Sequence, residues 1–230
     1  MSLKRQLIIN GVSLVILIIF LGCATTHTNE RYLSDRYDNL YNQGIDDLDM
    51  KKYGQAIAKF TQVIDANPSY CGAFLGRGQA LFRIGNYRQA IPDLTRAIEL
   101  NPENSYDLTY FSYLARGDCN RLLKQNEQAV LDFSEAINLK PDSFDAYYSR
   151  ALTYSLLKKY SLAFPDCENA IRLNNRFAKG YFLQAMLFEE TGRKADAIKA
   201  YRTFIQYGTA DHLNDLVQKA WQRIDELQKT

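Results

Sequence analysis

An alanine recurs in register along most of this 230-residue chain: Ala56, Ala90, Ala129, Ala163 and Ala197 are separated by 34, 39, 34 and 34 residues. Their neighbours keep the same register. A proline stands twelve residues after each of the first three (Pro68, Pro102, Pro141), with Asn175 and Thr209 at that place in the last two. A small residue stands twelve before each: Gly44, Gly78, Gly117, Ala151 and Ala185. One unit of this length cannot bury its own apolar face, so like units must stack and cover one another.

Within each unit, two stretches of about a dozen residues carry apolar residues at helical spacing, as Ala90, Leu94, Ala97 and Ile98 do in the second half of the second copy. Gly85 and Asn86 mark a turn between the halves, and Pro102 ends the second because the residue before a proline avoids the α region. The small, aromatic, small, aromatic and proline positions of the clearest copy, Ala73 to Pro102, resemble the tetratricopeptide repeat, and the resemblance covers residues 37–211. It implies an all-α, right-handed superhelical solenoid of five helix hairpins, 37–70, 71–104, 110–143, 144–177 and 178–211. A capping helix over 212–230 follows, started by Asp211, with Leu213, Leu216, Val217, Ala220, Ile224 and Leu227 on one face. Trp221, the single Trp, is expected in that cover.

Two departures carry expectations. The 39-residue spacing places five extra residues at about Ser105–Thr109, read as an early extension of the next helix with Ser105 as its cap. Repeat three has Lys124 and Asn126 where a glycine and an aromatic are usual, so it should be the loosest unit. Pro92 and Pro165 fall early in second helices, where a missing N–H costs least.

The net charge of +2 lies wholly in the first 22 residues, since Lys4 and Arg5 are followed by no charge until after Cys23, and the remainder balances 26 basic against 26 acidic side chains. A neutral chain without a Lys/Arg stripe argues against nucleic acid, which needs several clustered cations. The basic start and the apolar run Leu7–Leu21 have the layout of a secretory signal. That run is shorter than the roughly 20 residues of a spanning helix. The sequence Phe20, Leu21, Gly22, Cys23 resembles the lipobox of bacterial lipoproteins, with Phe20 and Leu21 bulkier than usual. The resemblance implies cleavage after residue 22, a lipid on Cys23 and, from Ala24, outer-membrane sorting facing the periplasm, with 23–36 as lipidated terminus and tether. The alternatives are an uncleaved N-terminal anchor and an inner-membrane location.

Arg77, Arg116 and Arg150 share one repeat position and Asp93, Asp132 and Asp166 another, sixteen residues on. They read as structural ion pairs between the helices of each hairpin, because a partly buried Arg favours a bidentate carboxylate. Cys71, Cys119 and Cys167 occupy unrelated positions without metal or redox spacing, and His27 and His212 pair with no nucleophile. Gly76–Arg77–Gly78 mimics a phosphate loop, yet Leu81 replaces the third glycine and the segment is helical in register. No cofactor, metal or catalytic activity is indicated.

The tetratricopeptide resemblance also implies a concave groove lined by the first helix of each repeat. Carried onto this chain, the groove positions are Tyr41, Ile45, Leu48, Leu75, Gln79, Phe82, Arg83, Leu114, Arg121, Tyr148, Leu152, Leu156, Phe182 and Met186, with Asp49, Asp118, Glu189 and Glu190 beside them. Such a strip suits a helix or an extended segment of an envelope protein or peptide. The Lys and Asn that family members use to clamp a C-terminal carboxylate are missing from the fifth and ninth positions. The expected role is a non-catalytic, membrane-anchored adaptor, serving assembly of a pilus or secretion complex or recruitment of cell-wall enzymes. The alternatives are self-association, including a homodimer, and a glycan-binding module.

Overall fold

The computed structural model describes residues 36–100, 106–209 and 213–229, and all regular structure among them is α-helical. Helix α1 covers 36–49, and α2 (Tyr53–Ala66), α3 (Cys71–Arg83), α4 (Tyr87–Leu100) and α5 (Tyr106–Leu122) follow. Then come α6 (Asn126–Leu139), α7 (Phe144–Leu156), α8 (Tyr160–Leu173), α9 (Ala178–Glu190), α10 (Lys194–Gly208) and α11 (Asn214–Lys229). These are five hairpins and a terminal helix, stacked in chain order as a tetratricopeptide solenoid.

The tips of the hairpins repeat as faithfully as the helices. Each first helix ends in a left-handed residue: Lys51 (φ 59°), Gly85 (φ 83°), Lys124 (φ 63°), Lys158 (φ 56°) and Gly192 (φ 74°). The next N–H then turns back to the helix, as from Lys52 to the Asp47 carbonyl (2.7 Å) and from Gln125 to that of Asn120 (2.8 Å). This closes the orphan carbonyls at the helix end. At the other edge Asn67 Oδ1 accepts from the Ser69 N–H at 3.1 Å, and Asn174 Oδ1 from the Arg176 N–H at 3.2 Å. The second of these turns has no proline, so the asparagine side chain supplies the stop.

Close approach of the paired helices depends on the small residues. An added Cβ at Gly44 would lie 2.7 Å from the Phe60 ring, at Gly76 2.5 Å from the same ring, and at Gly117 2.7 Å from Phe133. Phe60 and Phe133 are fully buried. Gly76 and Gly78 lie inside α3, which disposes of the phosphate-loop mimic.

Helix α5 has 17 residues where α3, α7 and α9 have 13, and the surplus lies at its start as expected; Ser105 lies outside the described residues. Pro92 and Pro165 are inside α4 and α8. Repeat three is not a loose hairpin. Arg116 and Asn120 both bond to Asp132, and the Tyr110 hydroxyl meets Ser143 Oγ, which caps α7 in the next repeat. Among the described residues, two atoms near its tip, Arg121 Nε and Asn126 Oδ1, are buried without a partner.

Helix α11 lays Val217, Ala220 and Ile224 over Ala200, Tyr201 and Phe204 of α10, and Arg223 pairs with Glu189 of α9. The cover is the expected one, but Trp221 is not in it. Its side chain is 56% exposed, because the face that meets α10 is set by residues 217, 220 and 224 and Trp221 falls outside that arc.

Candidate groove and the inter-repeat seams

The first helices of repeats one to three and the tip of the first hairpin enclose a cavity of about 490 Å³. Six of the expected groove residues line it: Ile45 and Leu48 from α1, Gln79, Phe82 and Arg83 from α3, and Leu114 from α5. Asp49 and Asp118 add acidic groups to the wall. Phe82 is held by Tyr87, ring centroids 5.5 Å apart. The result is an apolar floor with Arg83, Lys51, Asp49 and Asp118 also in the lining.

Four lining residues were not singled out from the sequence. Phe111, 44% exposed, and Ala115 extend the floor along α5, and Lys51 and Tyr53 come from the tip of the first hairpin. Phe111 lies in α5 three residues before Leu114, on the same helix face. Lys51 belongs to a turn and Tyr53 opens α2, both outside any groove pattern built on first-helix positions alone.

The other expected groove residues do not line this cavity, and here the reading needs correction. Tyr41 packs on Phe60 and Tyr70 (5.8 and 5.1 Å between centroids), Tyr148 sits edge-on to Phe177 (5.0 Å), and Phe182 sits on Tyr201 and Phe204 (5.6 and 5.0 Å). Leu75 and Leu152 pack against buried clusters beside them. The rings of Tyr41, Tyr148 and Phe182 therefore close seams in the stack, where large rings gain from burial, while Leu114 at the equivalent place in repeat three lines the cavity. Leu156 (55%) and Met186 (37%) are exposed without lining the cavity, and Arg121 is bound to Asp118 at 2.8 Å. Burial raises the Tyr148 hydroxyl above its ordinary value, consistent with an enclosed ring.

The three ion pairs are present and do more than join two helices. Arg77 donates to both carboxylate oxygens of Asp93 at 2.7 Å and, through its remaining nitrogen, to Thr61 Oγ1 of the preceding repeat at 3.2 Å. Arg116 reaches Asp132 and Thr95 (3.0 Å), and Arg150 reaches Asp166 and Ser134 (3.0 Å), in the same arrangement. The hydroxyls of Thr61 and Ser134 donate to carbonyls four residues back, which leaves a lone pair for the arginine. The bonded carboxylates push the Arg77 and Arg150 guanidinium groups above their ordinary value. In repeat one Lys59 stands at the aspartate position and pairs with Asp47 at 2.5 Å.

Cys119 and Cys167 are buried free thiols, and Cys71 is free and half-buried. No group of three or more metal-ligating side chains occurs among the described residues. Cys23, His27 and His212 lie outside them. No helix among the described residues is long and apolar enough to cross a membrane.

A stack of helix hairpins with an open inner cavity is the architecture of a helical-repeat interaction scaffold. The chain belongs to the tetratricopeptide-repeat family, whose models match residues 72–104, 117–158, 144–177 and 180–207. Among curated proteins it is 24% identical over 160 residues to the DnaJ homolog subfamily C member 7 homolog of Schizosaccharomyces pombe, covering 65% of this chain and 34% of that protein. It is 31% identical over 83 residues to serine/threonine-protein phosphatase 5 of Homo sapiens, covering 36% of this chain and 17% of that one. The chain thus spans about a third or less of the length of these two relatives.

Among solved structures, MamA of Desulfovibrio magneticus RS-1 superposes with a TM-score of 0.68 at 15% identity, covering 76% of this chain and 97% of that one. YrrB, described as a TPR protein with an unusual peptide-binding site, gives 0.62 at 17%, covering 78% and 90%. At these identities the likeness is one of fold.

Proposed function

We propose that this chain is a non-catalytic adaptor that holds a helical or extended segment of a partner protein in the groove of repeats one to three, while a lipid on Cys23 keeps it at the bacterial envelope. The observation that carries the binding role is the cavity of about 490 Å³ across three first helices, with an apolar floor of Ile45, Leu48, Phe82, Phe111 and Leu114 and charges of both signs around it. An apolar strip takes up alternate side chains of a bound segment, and a mixed-charge rim sets its direction. The peptide-binding site named for YrrB supports the reading by likeness of fold. The anchor is supported by Lys4, Arg5, the apolar run to Leu21 and the Gly22–Cys23 pair. An outer-membrane, periplasm-facing location and service to pilus, secretion or cell-wall machinery belong to the same proposal.

The test is a peptide selected on the wild-type protein and titrated against Arg83→Glu and Phe111→Ser, both exposed enough to leave the stack intact. Affinity should fall about tenfold or more for at least one of them, as loss of a central contact does. Unchanged affinity in both overturns the groove. For the anchor, Cys23→Ser should abolish lipid labelling and release the protein from membranes.

A further inference from the structure

The five hairpin tips lie along one edge of the solenoid, and the tips of repeats one to four have an uneven composition. Residues 48–55, 82–89, 121–128 and 155–162 contain eight cations and two carboxylates, although the chain after residue 22 as a whole is balanced. Lys51, Lys52, Lys124, Lys158 and Lys159 are all exposed, and none of them is in an ion pair with a described residue. Three of these lysines hold the left-handed turn position itself. Five of the nine large apolar side chains that the described residues expose stand among them: Met50 (62%), Ile84 (46%), Leu122 (41%), Leu156 (55%) and Leu162 (48%). The first three junctions at the opposite edge are acidic, with Asp65, Glu99, Asp107, Asp142 and Asp145 against Lys140. The fourth, with Arg172, Arg176 and Lys179, is basic but carries no exposed large apolar side chain.

We infer that the tip edge of repeats one to four is a membrane-facing surface that rests on an anionic bilayer. The exposed apolar residues stand one or two per tip: Met50, Ile84 and Leu122 adjoin a lysine or an arginine, and Leu156 and Leu162 lie two and three residues from one. A protein interface needs a contiguous buried core. A bilayer interface takes up isolated apolar side chains while anionic headgroups neutralise the cations next to them. The choice of a bilayer rests on the anchoring proposed above, and the geometry allows it. Residue 36 lies at the far end of α1 from the tip, and a 14-residue helix is about 21 Å long. The twelve residues between Cys23 and residue 36 reach about 40 Å when extended. The edge can therefore lie flat on the membrane that holds the anchor, with the groove opening sideways to a partner.

The full chain, reconstituted in phosphatidylethanolamine/phosphatidylglycerol vesicles with brominated acyl chains, tests this. In a Trp221→Phe background, Ile84→Trp and Leu156→Trp report on the tips and Ser69→Trp on the opposite edge. The tip indoles should lose about half their emission or more to the brominated chains, and the opposite-edge indole should not. Replacing phosphatidylglycerol by a zwitterionic lipid, or Lys158 and Lys159 by Glu, should abolish that loss, whereas Arg172→Glu with Arg176→Glu should leave it. A chain that sediments with the vesicles but shows unquenched tip indoles overturns the inference and leaves the anchor standing. Quenching at the tips without lipid on Cys23 retains the edge and removes the anchor. Tip indoles shielded by an acidic protein fraction and never by vesicles overturn it in favour of a protein partner.

Discussion

Arg150 holds Asp166 across its own hairpin through bonds of 2.7 and 2.8 Å while its third nitrogen rests on Ser134 of the hairpin before. One side chain thus ties both the two helices of a repeat and two successive repeats. Since the aspartate is almost wholly buried, removing the arginine strands a carboxylate. Arg150→Ala should destabilise the chain by about 3 kcal/mol, read as the midpoint of urea unfolding. Ser134→Ala removes only the inter-repeat bond and should cost about 1 kcal/mol.

The Phe60 ring lies between Gly44 and Gly76, and a Cβ at residue 76 would stand 2.5 Å from it. Gly76→Ala should therefore cost about 2 kcal/mol through overpacking, and Phe60→Leu in the same chain should recover part of it. Gly54 is the contrast: it is helical, and a Cβ added there would meet nothing within 4 Å. Gly54→Ala should stabilise by about 0.5 to 1 kcal/mol. Urea midpoints of the four chains check both sites.

Lysine at a left-handed turn position is strained where glycine is not. Lys124→Gly should raise stability by about 0.5 to 1 kcal/mol, and Gly85→Ala should lower it by about 1 kcal/mol. Thermal melting of the two variants checks the pair. If the gain at residue 124 is real, the lysine is kept at a cost, as a surface role for the tip requires.

Burial pushes the thiols of Cys119 and Cys167 up to about 12, well above their ordinary range. The folded chain keeps both neutral while the unfolded chain ionises them near about 8.5. Their contribution to stability is therefore whole below about pH 8.5 and declines as pH rises towards 12. Cys167→Ala should flatten the loss of stability between those limits. In the native protein both thiols should resist a disulfide reagent at about pH 8 and react promptly in denaturant.

Much of the architecture is legible because it repeats. The alanines at 56, 90, 129, 163 and 197 locate every hairpin, and the sixteen-residue offset of Arg and Asp locates the pairs. Periodicity can do this because the helix period determines which side chains share a face. The same reasoning misplaces Tyr41, Tyr148 and Phe182, since a position pattern cannot tell whether a ring turns into the groove or into the seam beside it. Trp221 is misplaced for a related reason. It adjoins apolar residues in sequence, yet the arc of α11 that α10 covers excludes it.

What the linear order determines by itself, then, is the number of hairpins, their boundaries, their internal ion pairs and the terminal cover, all consequences of spacing along a helix. What tertiary structure decided is which faces remain open. The cavity draws Lys51 from a turn, Tyr53 from the start of α2 and Phe111 from α5, and the guanidinium groups of Arg77, Arg116 and Arg150 each find a second partner one repeat away. Those arrangements arise only when hairpins stack, because the angle between successive units sets which side chains converge. No single repeat contains that angle.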